Sequence, residues 1–328
     1  MQEELSLSSS DSEKQRGSML FLVIFLVVLV VMSVIANYLT NGLFLDKLNL
    51  LIIVSNSIFP TFIAWGLCFL FACGFTDLSI GAVVVLASFM ACMFGNWFGI
   101  PGVLFGGLVA GTLLIFINFT VFAFTKVPSW IASICIALFY EAVAVFLRLN
   151  RTTRPLINIE LHHDYRTLGH FPANIILLAV GFLVVYVVYE RSSIGMKIRA
   201  IGGNMEVSRA LGINVLRTLL WVGLICGILI GFASVIQQSY NAFTIVMTGM
   251  TSLNLIFQPL AITLLAQIMQ RKINIIIAIP ICSFLIYAVF NLMTMFGIPG
   301  ITLQQVFLGA FLISFGVGGQ KGVKEVVK

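Results

Sequence analysis

Two carboxylates, Asp77 and Glu141, stand inside apolar runs of this 328-residue chain. An ionisable group at membrane depth is costly unless it faces a cavity or a partner, so each is a candidate for lining a solute path, gating it or coupling it to an ion. Asp77 lies in Gly74-Phe75-Thr76-Asp77-Leu78-Ser79-Ile80-Gly81 and has a second reading. The glycines frame a break, and a carboxylate beside Leu78-Ser79 can cap the next helix by accepting its orphan amides. Glu141 and Arg148 are seven residues apart on one helix face. They either pair through neighbours, or Arg148 reaches out to the membrane surface. Ser79 and Asn118 are further path or gating candidates, and Asn56, Gln237, Gln238, Asn241 and Gln258 complete the uncharged polar set. Side chains of this kind either bond across helices or line the path.

The elements that must position these groups are membrane helices. Hydrophobic residues make up 60% of the chain and charged residues 9%, with a mean hydropathy of +1.10. Apolar runs near the roughly 20 residues a helix needs to cross a bilayer recur along the whole length. The expected fold is all-α and polytopic, with about ten transmembrane helices at 19–39, 51–71, 79–97, 101–125, 129–149, 172–190, 217–236, 253–270, 273–295 and 299–317. The short alternating segments of a β-barrel are not visible. With both termini cytoplasmic, 13 of the 18 basic residues face the cytoplasm, as the positive-inside rule favours. The net charge of +6 therefore serves topology, and no nucleic-acid partner is expected.

Residues 1–18 look like a disordered cytoplasmic tail and 318–328 like a basic one, leaving 19–317 as the transmembrane domain. The six cysteines fall in or beside apolar spans as small packing residues. The loop 150–171 carries His162, His163 and His170, but no further ligand is fixed by helical spacing, so an ordinary solvated loop is expected and no metal. Gly223, Gly227 and Gly231 recur every four residues in one span, and Gly107 and Gly111 do so in another. Small residues let helix backbones approach closely in lipid, either within one chain or across a dimer interface.

The segment 195–214, GMKIRAIGGNMEVSRALGIN, is polar where its surroundings are not. Within the loop 191–216, Gly202, Gly203 and Asn204 break the chain and 205–211 can form two helical turns. Asn204 is a good N-cap. Glu206 in the first turn and Arg209 in the last complement the helix dipole, and Gly212 suits the C′ position. So short a helix is marginal alone, so it is expected to dock against something. Val207 and Leu211 are expected on one side, with Ser208 and Arg209 exposed.

This segment resembles the coupling loop of permease subunits from the ribose-type (simple sugar) ABC importers. Ala200, Ile201, Gly202, Gly203, Asn204, Arg209, Gly212, Ile213, Asn214 and Val215 fit that family's pattern. Gly74 to Gly81 is similar to its G-x-x-D-L-S-V-G motif, and Lys126-Val127-Pro128-Ser129-Trp130-Ile131-Ala132 to its K-x-P-S-F-I-A segment. The resemblance covers about residues 50–235. The chain departs from it at 248–257, where the family has a glycine-rich stretch, and at Glu141, where the family tends to place an arginine.

The resemblance implies a non-catalytic permease with no cofactor, multi-pass in a bacterial inner membrane and moving a sugar or sugar-like solute. Its implied partners are a separate ABC ATPase subunit docked on the 205–211 helix, an extracytoplasmic solute-binding protein, a second permease copy or related permease, and membrane lipid. No G-x-x-x-x-G-K-[ST] phosphate loop is present, so ATP hydrolysis would belong to the partner. Two alternatives stay open: an ion-coupled secondary transporter using Asp77 and Glu141, and a branched-chain amino-acid or nucleoside ABC permease.

Overall fold

A computed structural model describes residues 30–125, 127–149, 160–270, 272–297, 304–310 and 313. Among them, eight helices are long and apolar enough to cross a membrane. They are α2 (Lys47–Ala72), α3 (Ile80–Phe98), α4 (Ile100–Phe124), α5 (Ser129–Leu149), α6 (Ala173–Tyr186, extended by a π-helical turn over Val187–Arg191), α9 (Val215–Asn241), α10 (Asn254–Met269, preceded by a single turn at Thr251–Leu253) and α11 (Ile275–Met295). Each falls on one of the ten expected spans. Of the other two, 19–39 is described only from residue 30, as the short apolar helix α1 (Val30–Leu39), and 299–317 only in its middle, where 304–310 are helical. Both expected tails lie outside the described residues. Two shorter helices, α7 (Ser193–Gly203) and α8 (Met205–Ala210), link α6 to α9.

α9 is the axis of the bundle. Its 27 residues pack against α2, α3, α4 and α7, and most of its length is buried. The closest approach is to α4, and glycines make it possible. A Cβ on Gly111 would overlap the Gly231 backbone, one on Gly227 would overlap Thr112, one on Gly107 would meet Val235, and one on Gly223 would meet Phe119. The two glycine series thus meet each other inside one chain. α4 carries a second pair that the sequence reading passed over. Gly102 and Gly106 lie against the Phe94 and Met90 carbonyls of α3, to which α4 is joined through Gly99 at φ +70°.

The loops collect at two ends. At one, the Thr76 amide meets Ser129 Oγ, Gly202 of α7 lies on the Ala72 carbonyl, and Asn274 donates to Glu190 Oε1 at 2.9 Å. At the other, Asn96 Nδ2 donates to the Glu160 carbonyl at 3.0 Å and the Leu161 amide to the Ala242 carbonyl at 2.8 Å. Of the cysteines, all but the exposed Cys135 are buried as free thiols.

Candidate functional site

The 191–216 loop is more helical than its glycines suggest. α7 runs unbroken through Gly202 and Gly203, and the break comes at Asn204 alone, which is extended at φ −159°. Gly202 is required for contact, because a side chain there would strike the Ala72 carbonyl. Buried Ile198 and Ile201 hold α7 down, and Arg199 donates to the Tyr189 carbonyl at 2.6 Å with its guanidinium over the Tyr189 ring.

α8 is capped at both ends. Asn204 Oδ1 accepts the amides of Glu206 (2.9 Å) and Val207 (3.1 Å). At the far end Gly212 adopts φ +82°, its amide bonds to the Arg209 carbonyl, and the Ile213 amide bonds to the Ser208 carbonyl. That is a Schellman closure. The expected facing is wrong in one respect. Ser208 is the buried side, 2% exposed, with its hydroxyl on the Asn204 carbonyl, whereas Val207 (53%) and Leu211 (75%) are exposed together with Glu206 and Arg209. A hydroxyl can turn back onto its own helix, so Ser208 packs inward without loss and leaves the apolar pair outside.

Asp77 closes a buried network rather than standing free. Ser79 donates from its amide (2.7 Å) and hydroxyl (2.6 Å) to Asp77 Oδ1. Asn118 of α4 donates to Asp77 Oδ2 (3.1 Å) and to Ser79 Oγ (2.6 Å), and Tyr140 of α5 donates to Asn118 Oδ1 at 2.9 Å. Asp77 takes the amide of Ser79 and not those of the α3 first turn, and the network ties α3, α4 and α5 together.

Glu141, 3% exposed near the middle of α5, is also fully engaged. Its Oε2 accepts the Met250 amide at 2.9 Å and its Oε1 the Ser252 amide at 3.0 Å. These amides head the turn that opens into α10, so a carboxylate from α5 caps it. The Ser252 carbonyl in turn rests on Gly81 at the start of α3. The two departures from the family pattern, Glu141 and 248–257, therefore touch each other.

Over residues 242–250, between α9 and the turn that precedes α10, the chain is not helical, and this stretch lines a cavity of about 540 Å³. Ser88 of α3, Gln237, Gln238, Tyr240 and Asn241 of α9, and Phe243, Thr244, Ile245 and Met247 form its walls with Val85 and Leu255. Gln238 is held by the Ala242 carbonyl and by Thr244, while Gln237 Oε1 is buried without a hydrogen-bond partner. None of the lining side chains is charged. Irregular backbone at membrane depth is tolerated only where protein buries it or where it borders a wet cavity, so this is where a path is to be sought. The sequence pointed to Gln237, Gln238 and Asn241 but missed Tyr240 and Thr244 beside them, and Ser88, whose neighbours on α3 are apolar. Asp77, Glu141 and Asn118 do not line it.

The described part of the 150–171 loop, from Glu160, is largely exposed, as a solvated loop would be, but it is not loose. It is strapped to the end of α9. Arg166 donates to the carbonyls of Ser239 (3.4 Å) and Tyr240 (2.9 Å), Gly169 sits on the Tyr240 backbone, His170 lies against the Tyr240 ring, and Glu160 bridges to Phe243. His162 and His163 are exposed, and among the described residues no group of three or more His, Cys, Asp or Glu is placed to hold a metal.

Long apolar helices around an uncharged polar cavity, with a capped polar elbow at one end, define a polytopic membrane protein of the solute-permeation type. The chain belongs to the family described as branched-chain amino acid transport system / permease component, whose profile matches residues 49–315. It is similar to the fructose import permease protein of Rhizobium meliloti, 26% identical over 166 residues and covering 46% of each chain. The xylose transport system permease protein of Escherichia coli K12 is 24% identical over 266 residues, covering 61% of this chain and 67% of its own. The ribose import permease protein of Haemophilus influenzae is 29% identical over 201 residues, covering 58% and 61%. The chain thus spans about half to two thirds of the length of these relatives. No solved structure matches. The resemblance read from 74–81, 126–132 and 195–215 agrees with these matches.

Proposed function

We propose that this chain is the permease subunit of an ATP-driven importer for a neutral sugar or sugar-like solute, set in a bacterial inner membrane with both termini cytoplasmic. One observation carries the reading: α9 starts at the α8 elbow and ends at the cavity. The two lie about 33 Å apart along one buried helix axis. A push on α8 is therefore a push on the helix that walls the cavity. The exposed Val207–Leu211 pair, flanked by Glu206 and Arg209, is the face that seats in a groove of a separate ATPase. ATP-dependent closure of that partner shifts the permease between outward and inward access through differential contacts in the two states. An extracytoplasmic binding protein delivers solute over the 160–170 strap, and a second permease copy completes the path.

The uncharged cavity lining favours a polyhydroxylated solute over a zwitterionic branched-chain amino acid, whose two charges would find no counter-charge there. Asp77 and Glu141 each accept two or more hydrogen bonds within the fold, which weighs against the ion-coupled alternative. The test is affinity purification of the tagged chain from its native membrane beside Arg209→Glu, with co-purifying proteins identified by mass spectrometry. An ATPase recovered with the wild type and lost with Arg209→Glu supports the reading. Its absence from both, with the permease intact, overturns it.

A further inference from the structure

A second cavity, of about 580 Å³, opens where α7 meets the start of α9, away from the polar cavity at the other end of that helix. Two features set it apart from an ordinary surface cleft. Lys197 of α7 and Arg217 of α9 both reach it, no acidic side chain lines it, and among the described residues neither cation makes an ion pair or side-chain hydrogen bond. The rest of its lining is mixed: Ile194, Leu211, Ile213 and the half-exposed Trp221 are apolar, and Asn214 and Thr218 are uncharged polar. Trp221 stands about 9 Å along α9 from Val215, inside the membrane-crossing part of that helix. Cations at the rim and an indole one headgroup depth below are the pattern of the membrane–water interface.

We propose that this groove binds the headgroup of an anionic phospholipid, with Lys197 and Arg217 on the phosphate and Trp221 and Ile194 against the glycerol and first acyl methylenes. Basic pockets beside membrane helices suit such headgroups because the phosphate supplies the missing counter-charge while the chains stay in lipid. A water-soluble protein cannot follow the groove down to Trp221, whereas a lipid already occupies that depth. The bound lipid would clamp α7 to α9 and so fix the base from which the α8 elbow projects. The inference concerns the elbow's lipid contact and needs neither an ATPase nor a solute for its test, so its failure is separable from that of the importer reading.

The experiment uses the purified chain and two probes, phosphatidylglycerol and phosphatidylcholine. Bound lipids are counted by native mass spectrometry, and thermal unfolding is followed in bilayer discs of phosphatidylcholine alone or of an equal mixture of the two. The expected result is a preference for phosphatidylglycerol of roughly thirtyfold, the size two basic side chains near an anionic surface provide, with a higher unfolding midpoint in the mixed discs. Lys197→Gln with Arg217→Gln abolishes both effects, and Lys197→Arg with Arg217→Lys retains them. Should the double glutamine variant aggregate, each single variant is read instead and loses part of the preference. Equal binding of the two lipids, or a preference unchanged by the glutamine substitutions, overturns the proposal.

Discussion

Glu141 Oε1 accepts the backbone amide of Ser252 at 3.0 Å, joining the middle of α5 to the turn that opens into α10. With the Met250 amide on its other oxygen, this one carboxylate satisfies two donors of the turn that leads from the cavity-lining stretch into α10. Glu141→Ala leaves both amides without their acceptor, at about 1–3 kcal/mol each for a buried group. Glu141→Gln keeps one acceptor and costs about half as much. Thermal unfolding of the purified variants should rank wild type, Gln, Ala in falling order. An Ala variant as stable as wild type would show that the segment holds its shape without α5.

Glycines 231 and 203 should respond in opposite ways. Gly231→Val drives methyl groups into Leu108 and the Gly107 carbonyl of α4, and overpacking of this kind costs about 1–3 kcal/mol or more. Gly203 has open space around its Cβ position at the end of α7, so Gly203→Ala should be neutral or slightly stabilising. The same unfolding assay separates them.

Arg166 holds the carboxyl end of α9 through the Ser239 and Tyr240 carbonyls. In Arg166→Gln these lose a charge-assisted contact worth about 1 kcal/mol, so backbone amides over 239–243 should exchange with solvent roughly fivefold faster. Hydrogen exchange read by mass spectrometry checks this. Exchange unchanged over 239–243 would mean that Gly169 and Leu161 hold the strap unaided.

Gln237 allows stability and solute handling to be told apart. Its buried Oε1 lacks a partner, so Gln237→Leu should leave stability level or slightly raised. If that oxygen meets a solute hydroxyl, the same change should lower uptake of the preferred sugar about tenfold or more. Uptake of labelled xylose, ribose and fructose, measured beside the unfolding midpoint, gives both readings. Lowered stability with unchanged uptake would remove Gln237 from the path.

Much of this protein is legible in one dimension because its local physics is strong. A bilayer demands long apolar helices, so among the described residues eight helices long and apolar enough to cross it stand where the apolar runs place them. Asn204 and Gly212 bracket α8 because capping depends only on residues a turn apart. The continuation of α7 through Gly202 was not legible, since that glycine answers to the Ala72 carbonyl, 130 residues earlier in the chain. The facing of α8 also needed the tertiary structure, because Ser208 and Leu211 exchange their usual places when the elbow rests on α7 and α9.

Asp77 and Glu141 were visible from the sequence as costly groups, yet only the fold decides what meets that cost. Asn118 and Ser79 do so for the first, and two amides of a distant segment for the second. The cavity was the least visible feature. Its walls come from α3, α9 and the 243–247 stretch, and a concave surface is a property of packed helices, not of any one of them.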